Sequence, residues 1–181
     1  MKKQIYLIRH CQAEGQESNA SLTKKGYIQA ILLNEFLRNM KVDRIISSPF
    51  LRALETIEPF AKSKSIDVQI DDRLAERVLS SLSMPNWLDK LNETFNDMEL
   101  KLIGGESSVE AQERILEVIN DILTTGLENT IIVTHGNIMS LLLNYYDSNF
   151  VFEQWKSLRN PDVFLLQFTN NICSIERVWE K

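Results

Sequence analysis

Ile5-Tyr6-Leu7-Ile8-Arg9-His10-Cys11 runs four apolar residues without a break into an arginine and a histidine. A short apolar run containing β-branched residues reads as a buried strand. In an open α/β sheet, ligands bind in the crevice outside the carboxyl ends of the strands. Arg9 and His10 fall there. Late in the chain Ile131-Ile132-Val133-Thr134-His135-Gly136 repeats the design, and these are the only two histidines in the protein. One histidine near a strand end is more often a hydrogen-bonded packing residue than a catalyst. Two of two in matching places, one beside an arginine, point to a shared site.

Outward from these strands, the chain alternates apolar runs with helical spacing. Leu22-Thr23-Lys24-Lys25-Gly26 opens a helix with Thr23 as N-cap. Ile28, Ile31, Leu32, Phe36 and Met40, with Leu37 alongside, are expected to form its sheet-facing side. Residues 42–47 read as a second strand, ending in Ser47-Ser48-Pro49. Pro49 suits the first turn of the next helix, where its missing N–H is not needed. Arg52 falls in that first turn, where the macrodipole favours anions over cations. A solvated arginine is the commoner explanation. The strand end just upstream favours instead an Arg52 that faces a phosphate together with free backbone N–H groups.

Residues 67–70 read as a third strand, and 78–103 as a loosely patterned, cap-like excursion with a helix starting near Trp87. Gly104-Gly105-Glu106-Ser107 opens a long helix, with Gly126 placed as its C-cap. Residues 137–146 form another helix, and strands at 163–169 and 172–179 are expected to meet in a hairpin turn at Asn170-Asn171. The economical fold is one α/β domain over residues 1–181: three layers, with a mostly parallel central sheet and helices on both faces.

The bulk numbers narrow the function. A chain of 181 residues, 44% hydrophobic and 25% charged, is long enough for one domain with a real core. A net charge of −5 argues against a general nucleic-acid binder, which carries a basic patch or stripe. No apolar stretch approaches the roughly 20 residues needed to span a bilayer. Met1-Lys2-Lys3 leads into only a short apolar run closed by a charge, unlike a signal peptide. A cytoplasmic protein without membrane or nucleic-acid partners is expected.

Arginine grips phosphate with a bidentate fork, so Arg9 and Arg52 are candidates for holding a phosphoryl group. Histidine can form a covalent intermediate, and a carboxylic acid can protonate the leaving alkoxide. Other chemistries fit less well. A cysteine phosphatase built on Cys11 needs an arginine about six positions on, where Glu17 stands. No close histidine pair marks a zinc site, and no glycine-rich phosphate loop follows a strand. Neither a metal nor a cofactor is expected.

Arg9-His10, Ser47-Ser48-Pro49-Phe50-Leu51-Arg52-Ala53, Leu74-Ala75-Glu76, Gly105-Glu106-Ser107 and Thr134-His135-Gly136 come in the order of the histidine phosphatase superfamily. The chain resembles this phosphoglycerate mutase-like group over about residues 4–145, and Leu22-Thr23 with Gly26 resembles its opening helix signal. The resemblance implies the fold expected above. It implies that His10 is the nucleophile that becomes phosphohistidine, that Arg9, Arg52 and His135 complete the phosphate pocket, and that Glu76 is the general acid. Spacing alone does not select Glu76 among 25 acidic residues. Three positions depart from the family pattern. Cys11 replaces the usual small residue, Ala13 replaces a common hydroxyl residue, and Gln16 falls where an asparagine usually donates to phosphate. Cys11 reads first as an inert apolar residue, and alternatively as an oxidisable thiol beside the nucleophile.

A phosphatase acting on a small phosphorylated metabolite is the favoured reading. His135-Gly136-Asn137 and Glu76-Arg77 resemble mutase variants. Residues 78–103, however, hold only Lys90 and Lys101 as cations, against Asp89, Glu93, Asp97 and Glu99. A non-catalytic phosphate-binding module is the remaining alternative. It has no need of the nucleophile and the acid together.

Overall fold

The computed structural model describes residues 2–170 and 172–179. The opening apolar run forms β1 (Lys3–Arg9) and the second histidine run forms β4 (Asn129–Thr134). With β2 (Arg44–Ser47), β3 (Val68–Ile70), β5 (Asp162–Thr169) and β6 (Ile172–Arg177), they make a six-stranded sheet in the order β3-β2-β4-β1-β5-β6. β4 is parallel to both β1 and β2, and β3 is parallel to β2. β5 and β6 run antiparallel at one side. All six residues of β4 are buried, as befits an unbroken apolar strand covered on both faces.

Alternation along the strands divides the core. Ile8, Ile45, Ile131 and Val133 face α1 (Lys24–Leu37) and α2 (Leu51–Lys64), packing on Leu33, Leu37, Ile57 and Phe60. On the other face, Ile5, Leu7, Ile46 and Ile132 meet α4 (Ser108–Thr124) and α5 (Gly136–Tyr146). α3 (Trp87–Asn96) lies in the excursion after Glu76. A short α6 (Phe152–Lys156) precedes β5. The parallel register sets Arg9 opposite Thr134 and Ser47 opposite Val133. Three strand ends, carrying Arg9-His10, Ser47-Ser48 and Thr134-His135, therefore emerge at one edge of the sheet.

Several local expectations need correction. Ile28 and Ile31 are more than half exposed, and the buried side of α1 is Gly26, Ala30, Leu33 and Leu37. Two small residues one turn apart let α1 approach the preceding loop. A Cβ on Gly26 would stand 2.1 Å from the Gln12 carbonyl oxygen. Leu32, Phe36 and Met40 do pack on the core, from its margin. Pro49 lies outside α2, whose N-cap is Phe50. α4 ends at Thr125 in extended backbone, so Gly126 supplies no left-handed cap. In the expected hairpin turn Asn170 adopts φ 50°, while Asn171 lies outside the described residues.

Candidate active site

His10 leaves β1 with its backbone N–H on the Thr134 carbonyl at 3.0 Å, and its own carbonyl accepts from Asn160 Nδ2 at 2.8 Å. The ring is held as firmly as the backbone. Nδ1 lies 2.6 Å from the Cys11 carbonyl oxygen. A carbonyl only accepts, so in the neutral ring Nδ1 carries the proton and Nε2 keeps the lone pair. Nε2 accepts from Arg52 Nε at 3.2 Å. Burial, reinforced by the Arg52 and Arg9 charges, pushes His10 down to about 3 despite the carbonyl bond. The ring is neutral at ordinary pH, with its lone pair on Nε2.

His135 lies 5.1 Å away, centroid to centroid, and is fully buried. Its Nε2 is 2.7 Å from Ser48 Oγ, which accepts from the Phe50 N–H at 3.2 Å. With the Ser48 hydroxyl donating to Nε2, the His135 proton sits on Nδ1. That Nδ1 is buried without a partner. Burial, followed by the charges of His10, Arg52 and Arg9, holds His135 well below the ordinary histidine range. Because the protein has only these two histidines, ring NMR signals give a clean test. Neither should titrate between about pH 5 and 8, whereas a midpoint near the unperturbed value of about 6.5 in either would contradict this burial.

Arg52 is the arginine that sequence reasoning placed with a phosphate, and it is 1% exposed. Nη1 donates to the Gln16 and Glu17 carbonyls at 3.1 and 2.8 Å, and the guanidinium lies 4.8 Å over the Phe50 ring. Among the described residues, Nη2 has no partner. The Gln16 side chain is exposed on the cavity wall, and its part in the network is through the backbone carbonyl. Arg9 Nη1 donates to the Leu158 carbonyl at 3.1 Å, and its buried Nε has no partner. Gly136 makes room for it, since a Cβ there would meet the Arg9 guanidinium at 3.0 Å.

Glu76 sits against the N-terminus of α5. Oε1 accepts from the Arg77 and Ile138 N–H groups at 2.9 and 3.0 Å, and Oε2 accepts only from the Asn137 N–H at 3.0 Å. Its loop is clamped from behind. Arg114 grips the Glu106 carboxylate with two bonds of 2.8 and 2.9 Å and donates to the Arg73 and Ala75 carbonyls. Arg77 and Asn137 were not singled out as site residues by sequence reasoning, yet both reach the cavity. Arg77 Nη1 donates to Thr94 and Ser108, while its Nε and Nη2 donate to the Glu106 carbonyl. Asn137 Nδ2 is a further buried donor without a partner. Only the neighbouring motif residues Glu76 and His135 could have flagged them.

A cavity of about 590 Å³ is walled in part by Arg9, Gln16, Glu76, Arg77, Gly136 and Asn137, while the buried His10, Arg52 and His135 do not line it. Cys11 is fully buried, and burial pushes its thiol up to about 12. The inert reading of this cysteine is the one its surroundings support, since a protonated buried thiol oxidises poorly. Iodoacetamide should therefore label half-buried Cys173 in the folded protein and leave Cys11 unmodified until denaturant is added. Equal labelling of both would contradict that environment. Among the described residues, no three His, Cys, Asp or Glu side chains gather as metal ligands would. No helix there is long and apolar enough to cross a membrane.

Residues 5–180 match the family model of the histidine phosphatase superfamily, branch 1. A Hydrogenobacter thermophilus protein provisionally named phosphoserine phosphatase 2 is 29% identical over 157 residues, covering 78% of this chain and 77% of that protein. Mycobacterial glucosyl-3-phosphoglycerate phosphatase, solved with inorganic phosphate, superposes with a TM-score of 0.78 at 20% identity over 98% and 96% of the two chains. Phosphoglycerate mutase from Bacillus anthracis gives 0.77 at 18% identity over 98% and 92%. The fold is thus the phosphoglycerate mutase-like one, and relatives bearing phosphatase names stand beside others bearing phosphoglycerate mutase names, among them Salmonella proteins 27% identical over 158 residues.

Proposed function

Since the chain belongs to the histidine phosphatase superfamily, we propose that it hydrolyses a small phosphomonoester through a phosphohistidine on His10. One observation carries this reading. Arg9 Nε, Asn137 Nδ2 and, with Ser48 donating to Nε2, His135 Nδ1 are buried donors without partners among the described residues, beside a neutral histidine whose lone pair is held by an arginine. Leaving a buried donor unpaired costs about 1–3 kcal/mol. A phosphoryl group, whose oxygens accept only, is the complement of all three.

His10 Nε2 attacks phosphorus while the bond to the ester oxygen breaks. Glu76 gives that oxygen its proton from Oε2, the oxygen with the fewer hydrogen bonds. Arg52 Nε, released from His10, follows the charge onto the phosphoryl oxygens with Arg9 and His135. In the second half the Glu76 carboxylate takes a proton from water. The hydroxyl oxygen attacks phosphorus, and His10 leaves neutral with phosphate as product. Gln16 is assigned a minor contact to phosphate through its side chain, and no step requires a metal.

Residues 78–103 act as the cap in this reading, and their charges favour water over a second phosphorylated acceptor. Lys90 pairs with Glu93 at 2.7 Å and Lys101 with Glu110 at 2.7 Å, and neither lines the cavity. Turnover of p-nitrophenyl phosphate in the presence of a chelator is expected, with little transfer to 3-phosphoglycerate from its bisphosphate primer. Efficient transfer with negligible hydrolysis would make the protein a mutase. Arg52→Ala should lose about 2–4 kcal/mol of transition-state stabilisation in kcat/KM, the scale for one charge-aimed donor in a dry site. A loss under about threefold would reduce Arg52 to a structural role.

A further inference from the structure

The rest of the lining of the same cavity differs in chemistry from the residues assigned to phosphate. Leu79, Leu91, Trp87 and Trp155 line it. Trp87 opens α3 and Trp155 belongs to α6, and their rings meet edge to face at 6.4 Å. Trp155 stacks on Phe152 at 5.4 Å, and Phe152 meets Phe95 of α3 at 5.9 Å. Four aromatic rings thus tie the excursion to α6 and hold one indole against the other. Trp87 is nonetheless 50% exposed.

Cations are scarce on this side. Arg77 spends its guanidinium on Glu106, Thr94 and Ser108. Lys90 and Lys101 pair with glutamates, and Lys156, 5.6 Å over the Phe152 ring, pairs with Glu153 and does not line the cavity. A second anionic group here would lose water without gaining a partner charge, whereas a flat apolar ring would gain burial and edge or face contacts with indole.

We propose that this wall selects phosphomonoesters whose alcohol carries an uncharged aromatic or similarly flat apolar group, with Trp87 and Trp155 as the specificity residues. The proposal rests on the phosphatase reading and names its substrate class. 2-Phenylethyl phosphate and ethyl phosphate test it, because both leave as primary alkoxides and differ only in the ring.

The parent should favour 2-phenylethyl phosphate by about tenfold in kcat/KM, on the scale of one or two aromatic contacts. Trp87→Ala and Trp155→Ala should each bring that ratio toward one, while Trp87→Phe should keep most of it. Trp155→Leu, which retains apolar bulk against Phe152, should also lower the ratio and stands in where the alanine variant fails to fold. A ratio near one in the parent, or one that the tryptophan variants do not move, overturns the proposal while leaving the phosphatase reading intact. Turnover of neither ester by the parent overturns both.

Discussion

His10→Ala is expected to lower phosphatase turnover by roughly 10⁴-fold or more, because it removes the covalent route that divides one displacement into two. The fold should survive. The His10 backbone is bonded to Thr134 and Asn160, and these bonds do not need the imidazole. Steady-state assay of p-nitrophenyl phosphate, with circular dichroism beside it, checks both parts. An alanine variant that keeps even a tenth of the parent rate would exclude His10 as the nucleophile.

Glu76→Gln carries the second large effect, and it depends on the leaving group. Proton donation is worth about 10²–10⁴-fold when a poor leaving group departs. An alkyl phosphate should lose activity on that scale, whereas p-nitrophenyl phosphate, which leaves readily as an anion, should lose far less. The ratio of the two losses is the measurement. The structure supplies a competing role, since the Glu76 carboxylate accepts three backbone N–H groups and fastens its loop to α5. Equal losses on both substrates would assign Glu76 to that fastening, with the acid elsewhere.

The strands bearing the histidines were legible because parallel interior strands are apolar throughout, and the residue that ends such a run is at a binding edge by construction. Arg52 was legible as a cation in the wrong place on a helix, and its burial against His10 bears out that it is no surface residue. Glu76 was legible only through resemblance, because its position depends on a loop that Arg114 of α4 clamps together with Glu106. The face of α1 was misread because Gly26 and Ala30 contribute closeness rather than hydrophobic area, which a count of large apolar residues overlooks. Arg77 and Asn137 escaped for a related reason. Arg77's partners Thr94, Ser108 and Glu106, and Asn137's partner Glu76, come from distant parts of the chain, and no local pattern announces them. The five-residue α6 is shorter than any periodicity can reveal, so the aromatic wall built on Trp155 could only be seen folded.

Rapid-quench labelling with ³²P-labelled p-nitrophenyl phosphate tests the double displacement most directly. This substrate forms the intermediate quickly, so its breakdown by water becomes the slower half. The account predicts a phosphoenzyme that is labile in acid and stable in base, with the label mapping to the peptide that contains His10. A base-labile label, or one that maps to any other residue, would contradict it.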